Sequence, residues 1–185
     1  MTSVSHASRH QGPCNHEQVV APVTVVVTGL PGTGKSTLAD ALAGGIGAPA
    51  FAGDWLLGAL RPADRVLDDL TREEYLELYQ SLLLSLITRQ ALLGQSSIVD
   101  CVVTDETLSR WRVEVETRHG RMAVIECVCT DTHLHRSRVE GRVRGIPGWH
   151  EIDWNHVERM RDETPALTSD RLVIDAVNPV ASNLE

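Results

Sequence analysis

Gly29-Leu30-Pro31-Gly32-Thr33-Gly34-Lys35-Ser36-Thr37 is the stretch on which the reading of this sequence turns. It has the form GxxxxGKS, and its residue types follow from what it takes to hold a polyphosphate. Glycines let successive backbone N–H groups turn inward around an anion, and the start of a helix behind them adds its positive dipole end. Lys35 is expected to bridge the β- and γ-phosphates of ATP, with the Ser36 hydroxyl on Mg²⁺. All nine residues are therefore candidate nucleotide contacts. The bland alternative is a glycine turn with no ligand.

The flanks argue against that alternative. Val23-Thr24-Val25-Val26-Val27-Thr28 is a β-branched run bounded by Pro22 and Gly29, as in a buried strand of a parallel sheet. Behind the loop, Ser36 to Ala43 is rich in helix formers and is expected to stop at Gly44-Gly45. Lys35 is the only lysine in the chain, the rest of its 17 basic residues being arginine. A composition that prefers arginine thus uses lysine where a compact ammonium fits and a planar guanidinium does not.

Further along, Ala50-Phe51-Ala52-Gly53-Asp54 reads as a short second strand ending in a carboxylate. Thr71-Arg72-Glu73-Glu74 has the form of a capping box, followed by Tyr75, Tyr79, Leu82, Leu86 and Ile87 at helical spacing until Gly94. Strands are expected over 97–103, 122–129 and 171–174. Helices are expected near 106–118, over 131–140 and from about Asp153. Strands alternating with helices imply an α/β domain with a mostly parallel sheet. Residues 22–185 read as one domain and residues 1–21 as a flexible tail.

With 185 residues and 42% hydrophobic content, the chain can bury a core without staples. It has no apolar run of membrane-spanning length and no apolar leader at its start, so a cytoplasmic protein without a membrane partner is expected. The net charge of −8 repels long nucleic acid in bulk and favours small substrates, although a local basic groove could still bind it. Cys14, Cys101, Cys127 and Cys129 show neither zinc spacing nor a CxxC pair. Cys127 and Cys129 should share one buried strand face as small hydrophobes. His6, His10, Cys14 and His16 could form a metal set, but a tail with scattered histidines is commoner, and no site is assigned there.

Asp54, at the expected carboxyl end of the second strand, lies on the sheet edge where ligands bind, and a carboxylate there can meet an acceptor hydroxyl. Its alternative is a helix cap for the residues from Trp55. Asp100, in the third strand, is placed to approach magnesium, with Asp105-Glu106 as a rival. Arg136, Arg138, Arg142 and Arg144 cluster around a segment punctuated by Gly141, Gly145, Pro147 and Gly148, which suggests a lid over about 136–150. Closure would bring guanidinium groups onto the transferred phosphoryl, Arg138 and Arg142 as catalytic groups and Arg144 on the nucleotide. The alternative is a solvated helix face, since Arg136 precedes Glu140 by four residues. Trp149, His150, Asp153 and Trp154 could line an acceptor pocket or simply pack beneath the lid.

On these residues the chain resembles the small P-loop kinases that include the 5′-hydroxyl kinase domain of phage polynucleotide kinase, chloramphenicol phosphotransferase and zeta toxins. The likeness runs from about Val23 to Asp175. The run Gly145-Ile146-Pro147-Gly148-Trp149-His150-Glu151 is similar to one in actinobacterial "AAA family ATPase" predicted kinases. The resemblance implies a P-loop NTPase three-layer sandwich with a five-stranded sheet and an arginine-bearing lid. It implies ATP and Mg²⁺ as cofactors, Asp54 as general base on the acceptor hydroxyl, and lid arginines on the ATP phosphates. The expected activity is transfer of the γ-phosphate to a hydroxyl of a small molecule such as a nucleoside, sugar or antibiotic. Polynucleotide 5′-hydroxyl phosphorylation and a non-catalytic nucleotide switch are the alternatives. No Asn-Lys-x-Asp motif is present for guanine, and no AspGlu pair is clearly placed for mechanical ATPase work.

Overall fold

The computed structural model describes residues 20–184, so the tail histidines and Cys14 lie outside the described residues. The elements run β1 (Val23–Thr28), α1 (Lys35–Ile46), β2 (Ala50–Ala52), α2 (Gly53–Ala59), a tight helical turn at Arg61–Ala63, α3 (Asp64–Leu67), α4 (Arg72–Leu92) and β3 (Ser97–Asp100). They continue through α5 (Asp105–Glu116), β4 (Arg121–Val128), α6 (Thr132–Glu140), α7 (Trp154–Glu163), β5 (Leu172–Asp175) and α8 (Val180–Asn183). The five strands form one sheet in the order β2-β3-β1-β4-β5, every pairing parallel.

Every residue of β1 is valine or threonine, and β-branched side chains suit a pleated, packed surface. The strand sits at the centre of the sheet with a parallel neighbour on each side. Successive side chains point to opposite faces, so Val26 enters one core and Val27 the other. On the first face Leu83 and Ile87 of α4 and Trp111 of α5 pack on Val26, Val99 and Val124. On the second, Leu38 and Ala39 of α1 pack with Val27, Ile98 and Ile174. A third, smaller cluster of Val139, Trp154 and Val157 reaches Leu30 and so joins α6 and α7 to the glycine loop. The architecture is a three-layer α/β sandwich, its sheet wholly parallel where the sequence suggests mostly parallel.

The capping box at α4 forms as expected: the Thr71 hydroxyl accepts from Glu74 N, and Thr71 N donates to the Glu74 carboxylate at 2.8 Å. Several boundaries differ from expectation. α1 runs through Gly44-Gly45 to Ile46 and is ended by Gly47, at φ 65°, whose N–H bonds Ala43 O. β2 stops at Ala52, which places Asp54 in the first turn of α2. β3 ends at Asp100 rather than residue 103: Ala52, the last residue of β2, lies opposite Asp100 on one side, and Val27, next to the last of β1, on the other. Cys129 falls beyond β4 and is half-exposed, whereas Cys127 is buried, so the two thiols do not share a buried face. Burial pushes the Cys127 thiol up to about 11. The short helices α2, α3 and α8 carry no periodic signal long enough to read.

Candidate active site

The glycine loop leaves β1 at the carboxyl edge of the sheet and enters α1 at Lys35. Gly32 is held at φ 86°, and a Cβ there would lie 2.5 Å from Val139 Cγ2 and 3.1 Å from the His135 ring. Only glycine allows α6 to pack this closely beneath the loop. His135, 2% exposed, donates Nε2–H to Pro31 O at 2.8 Å, the carbonyl being able only to accept. Its ring meets Trp154 edge-on at 5.1 Å. Burial pushes its pKa below the ordinary value, the Pro31 bond opposes that, and Arg161, Lys35 and Arg138 add to it. His135 thus braces the loop from below. Sequence reasoning missed it, because a lone histidine on a helix carries no spacing signal.

Lys35 Nζ donates to Leu30 O at 3.0 Å, and the Thr33 hydroxyl donates to the same carbonyl at 2.7 Å. Asp100, at the end of the neighbouring strand, is 8% exposed. Burial raises its pKa, while the Lys35 ammonium and the Ser36 hydroxyl draw it down. Asp105 is committed elsewhere: its carboxylate accepts from Thr168 N at 2.8 Å, Thr168 Oγ1 at 2.7 Å and Ser169 N at 3.1 Å. These bonds hold it well below the usual carboxylate range and tie the approach to β5 onto α5.

Two cavities meet at this loop. The smaller, about 370 Å³, is bounded by Gly32, Gly34, Thr37, Arg138 and the chain around Ala176 to Val180. The larger, about 600 Å³, contains Lys35, Ser36, Asp54 and Asp100 in its wall. Arg142 lines both. Its guanidinium is half-buried; burial and neighbouring Arg144 lower its pKa, while Glu151, Asp54 and Asp100 raise it.

Arg144 is placed differently. Its guanidinium donates to the Asp54 carboxylate and lies 3.5 Å from Glu151, over the face of Trp149 at 5.7 Å. It therefore lines only the larger cavity. Asp54 does not cap α2: the cap position is Ala52, with no side-chain bond. Arg138 approaches Cys129 Sγ at 4.0 Å, while Arg136 pairs with Glu140 on an exposed helix face. The segment 141–150 is seated on α2, where a Cβ on Gly148, at φ 74°, would lie 2.3 Å from Gly58 O. Only a glycine backbone fits so close at that angle. Trp149 and His150 stack at 5.0 Å and line the larger cavity. Trp154 is buried under the loop, and Asp153 caps α7 through His156 N at 2.8 Å.

A family model described as an AAA domain matches residues 24–167, most of the chain. The chain belongs to this AAA domain family. The fold is that of solved small P-loop kinases. A sugar kinase from a Janibacter species superposes with a TM-score of 0.63 at 20% identity, covering 87% of this chain and 89% of that one. A gluconokinase from Sinorhizobium meliloti gives 0.61 at 19%, covering 88% and 87%. The APS kinase CysC of Mycobacterium tuberculosis gives 0.57 at 16%, covering 88% and 92%. No curated protein matches the sequence. No helix among the described residues is long and apolar enough to cross a membrane.

Proposed function

We propose that this chain is an ATP-dependent phosphotransferase that moves the γ-phosphate of ATP to a hydroxyl of a small molecule. The observation that carries the reading is the pair of cavities with Arg142 in both walls. The smaller takes the nucleotide and the larger takes the acceptor. Lys35 and Arg142 stand where the two meet, to stabilise charge developing on the transferred phosphoryl. Arg138 lines the nucleotide side alone. Asp54, on the acceptor side, orients the hydroxyl and takes its proton. The Arg144 guanidinium keeps that carboxylate aimed.

The donor set fits magnesium. Ser36 and Asp100 offer hard oxygen ligands side by side, and the described residues hold no group of three or more His, Cys, Asp or Glu that could make an all-protein cage. Magnesium is commonly held by one or two protein oxygens, with phosphates and waters completing its shell. When bound, it would neutralise negative charge on the phosphates. The known kinases of this fold act, by name, on sugars, gluconate and APS, which agrees with small-molecule transfer.

The test is to incubate the protein with ATP, magnesium and a metabolite extract and search by mass spectrometry for one species gaining a phosphate. The gain should vanish with Lys35→Ala. An ATP turnover that no hydroxyl compound accelerates would overturn the reading.

A further inference from the structure

The larger cavity is flanked by two helix faces that take no part in phosphate chemistry. α4 contributes Arg72, Tyr75, Leu76 and Tyr79, and α7 contributes His156, Arg159, Met160 and Glu163. Both sets repeat at i, i+3, i+4 and i+7, so each is one continuous helix face. Arg72 donates to Glu163 at 2.7 Å and ties the two faces together. The result is a slot of about 600 Å³, within the range that encloses drug-sized ligands.

The lining of this slot is weighted toward apolar surface and donors. A polyol brings several hydroxyl protons and needs oxygen acceptors for them as well as donors for its lone pairs. Of the side-chain carboxylate and amide groups that border the slot between the two helices, Glu163 accepts from Arg72 through Oε2 and Gln80 from Arg110 at 3.1 Å, which leaves each with reduced capacity for a ligand's protons. Asp54 is engaged by Arg144 and serves the reacting hydroxyl. Between the two helices the rest is mainly apolar surface and donors, with few hydroxyls. Leu57, Leu76, Val103, Met160 and the rings of Tyr75 and Trp149 supply the surface, with Leu76 left 40% exposed. Arg159 makes no ion pair among the described residues, its guanidinium meeting only His156 Nδ1 at 3.4 Å.

From this we infer that the acceptor is an alcohol with a flat, apolar ring body and an acidic group, and not a polyol. The ring lies between the α4 and α7 faces, and the acid meets Arg159 and His156. The inference rests on the phosphotransfer reading only for the hydroxyl placed at Asp54.

Four probes separate the possibilities: phenyllactate (ring, hydroxyl and acid), phenylpropanediol (ring without acid), gluconate (polyol acid) and glucose. Binding to the full chain is measured by calorimetry with ATP affinity as control, and transfer by mass spectrometry. Phenyllactate should bind at least about tenfold tighter than gluconate. Arg159→Gln should remove its advantage over phenylpropanediol and leave the diol unchanged. Met160→Gln and Tyr75→Ser should weaken both ring compounds with ATP affinity and melting midpoint retained, and Tyr75→Phe should preserve binding. Gluconate or glucose binding as tightly as phenyllactate would overturn the inference, as would the failure of both ring compounds to bind a protein that still binds ATP. Phosphate transfer to gluconate would overturn it while upholding the phosphotransfer reading. Ring-acid binding in a chain that transfers phosphate to no hydroxyl would uphold the slot chemistry and overturn that reading.

Discussion

The two cavities are built from different materials. The smaller is formed by the glycine loop, the start of α1 and the chain from Ile174 to Asn183, with Arg138 and Arg142 added. The larger shares Pro31, Lys35 and Ser36 of the loop and is otherwise formed by α2, α4, α7, the end of β3 and the segment 141–150. A glycine loop suits a ligand portion common to every nucleoside triphosphate, because its N–H groups recognise phosphate regardless of side chain. A side-chain wall drawn from several elements can be changed residue by residue without disturbing the loop. On the proposed reading, phosphate binding and acceptor choice draw on largely different residues, with Lys35, Ser36 and Arg142 at the seam.

The sharpest way to break this division is Asp54→Asn, which touches only the acceptor side. Asparagine keeps the size and can still accept from Arg144, but it cannot take a proton. Single-turnover rate should fall by roughly a hundred- to ten-thousandfold while ATP–Mg²⁺ affinity is retained. A wild-type rate would remove Asp54 from the mechanism. Next in size is Arg142→Ala against Arg138→Ala. Because Arg142 lines both cavities, its loss should lower kcat by on the order of a hundredfold. Arg138→Ala should chiefly raise the KM for ATP. Equal effects from the two variants would blur the boundary between the cavities.

Gly148→Ala probes the seat of the 141–150 segment. A methyl group there would press on Gly58 O, and φ 74° strains any residue with a Cβ. Acceptor KM should rise by roughly tenfold and the melting temperature should drop, with ATP affinity unchanged. The smallest effect concerns His135. Its folded pKa lies below the ordinary 6.5, so the unfolded chain binds its proton more readily. Its contribution to stability is complete above about pH 6.5 and is lost as pH falls toward the folded value. Thermal melts from about pH 7.5 to about pH 5 should show the parent losing stability relative to His135→Gln as pH falls. Parallel curves would show that His135 titrates alike folded and unfolded.

The same difference in materials governs what could be read in advance. A backbone site imposes a local pattern, and GxxxxGKS between a β-branched run and a helix is such a pattern; strand, loop and helix all form around it. The capping box at Thr71 was legible for the same reason, since both partners lie within one turn. Arg144 lies far along the chain from Asp54, and nothing near either residue foretells that they meet. The expectation that Asp54 would close a strand failed because β2 is only three residues long, Ala50–Ala52, and helix begins at once. Tyr75 and Tyr79 of the slot were present as helical spacing, but which face of α4 packs on the sheet and which lines a cavity depends on the position of α7. His135 is invisible in sequence because its value lies in a carbonyl, Pro31 O, supplied by a different element.

Arg142 has a consequence for binding thermodynamics that neither cavity has alone. A guanidinium that borders two ligands is repositioned by the first to arrive, so the second meets a charge already ordered or displaced. Their affinities then cannot be independent. Linkage requires that whatever factor ATP imposes on acceptor affinity, the acceptor imposes equally on ATP. A thermodynamic square of four dissociation constants must close, and with Arg142→Ala its coupling factor should approach unity even where both ligands still bind.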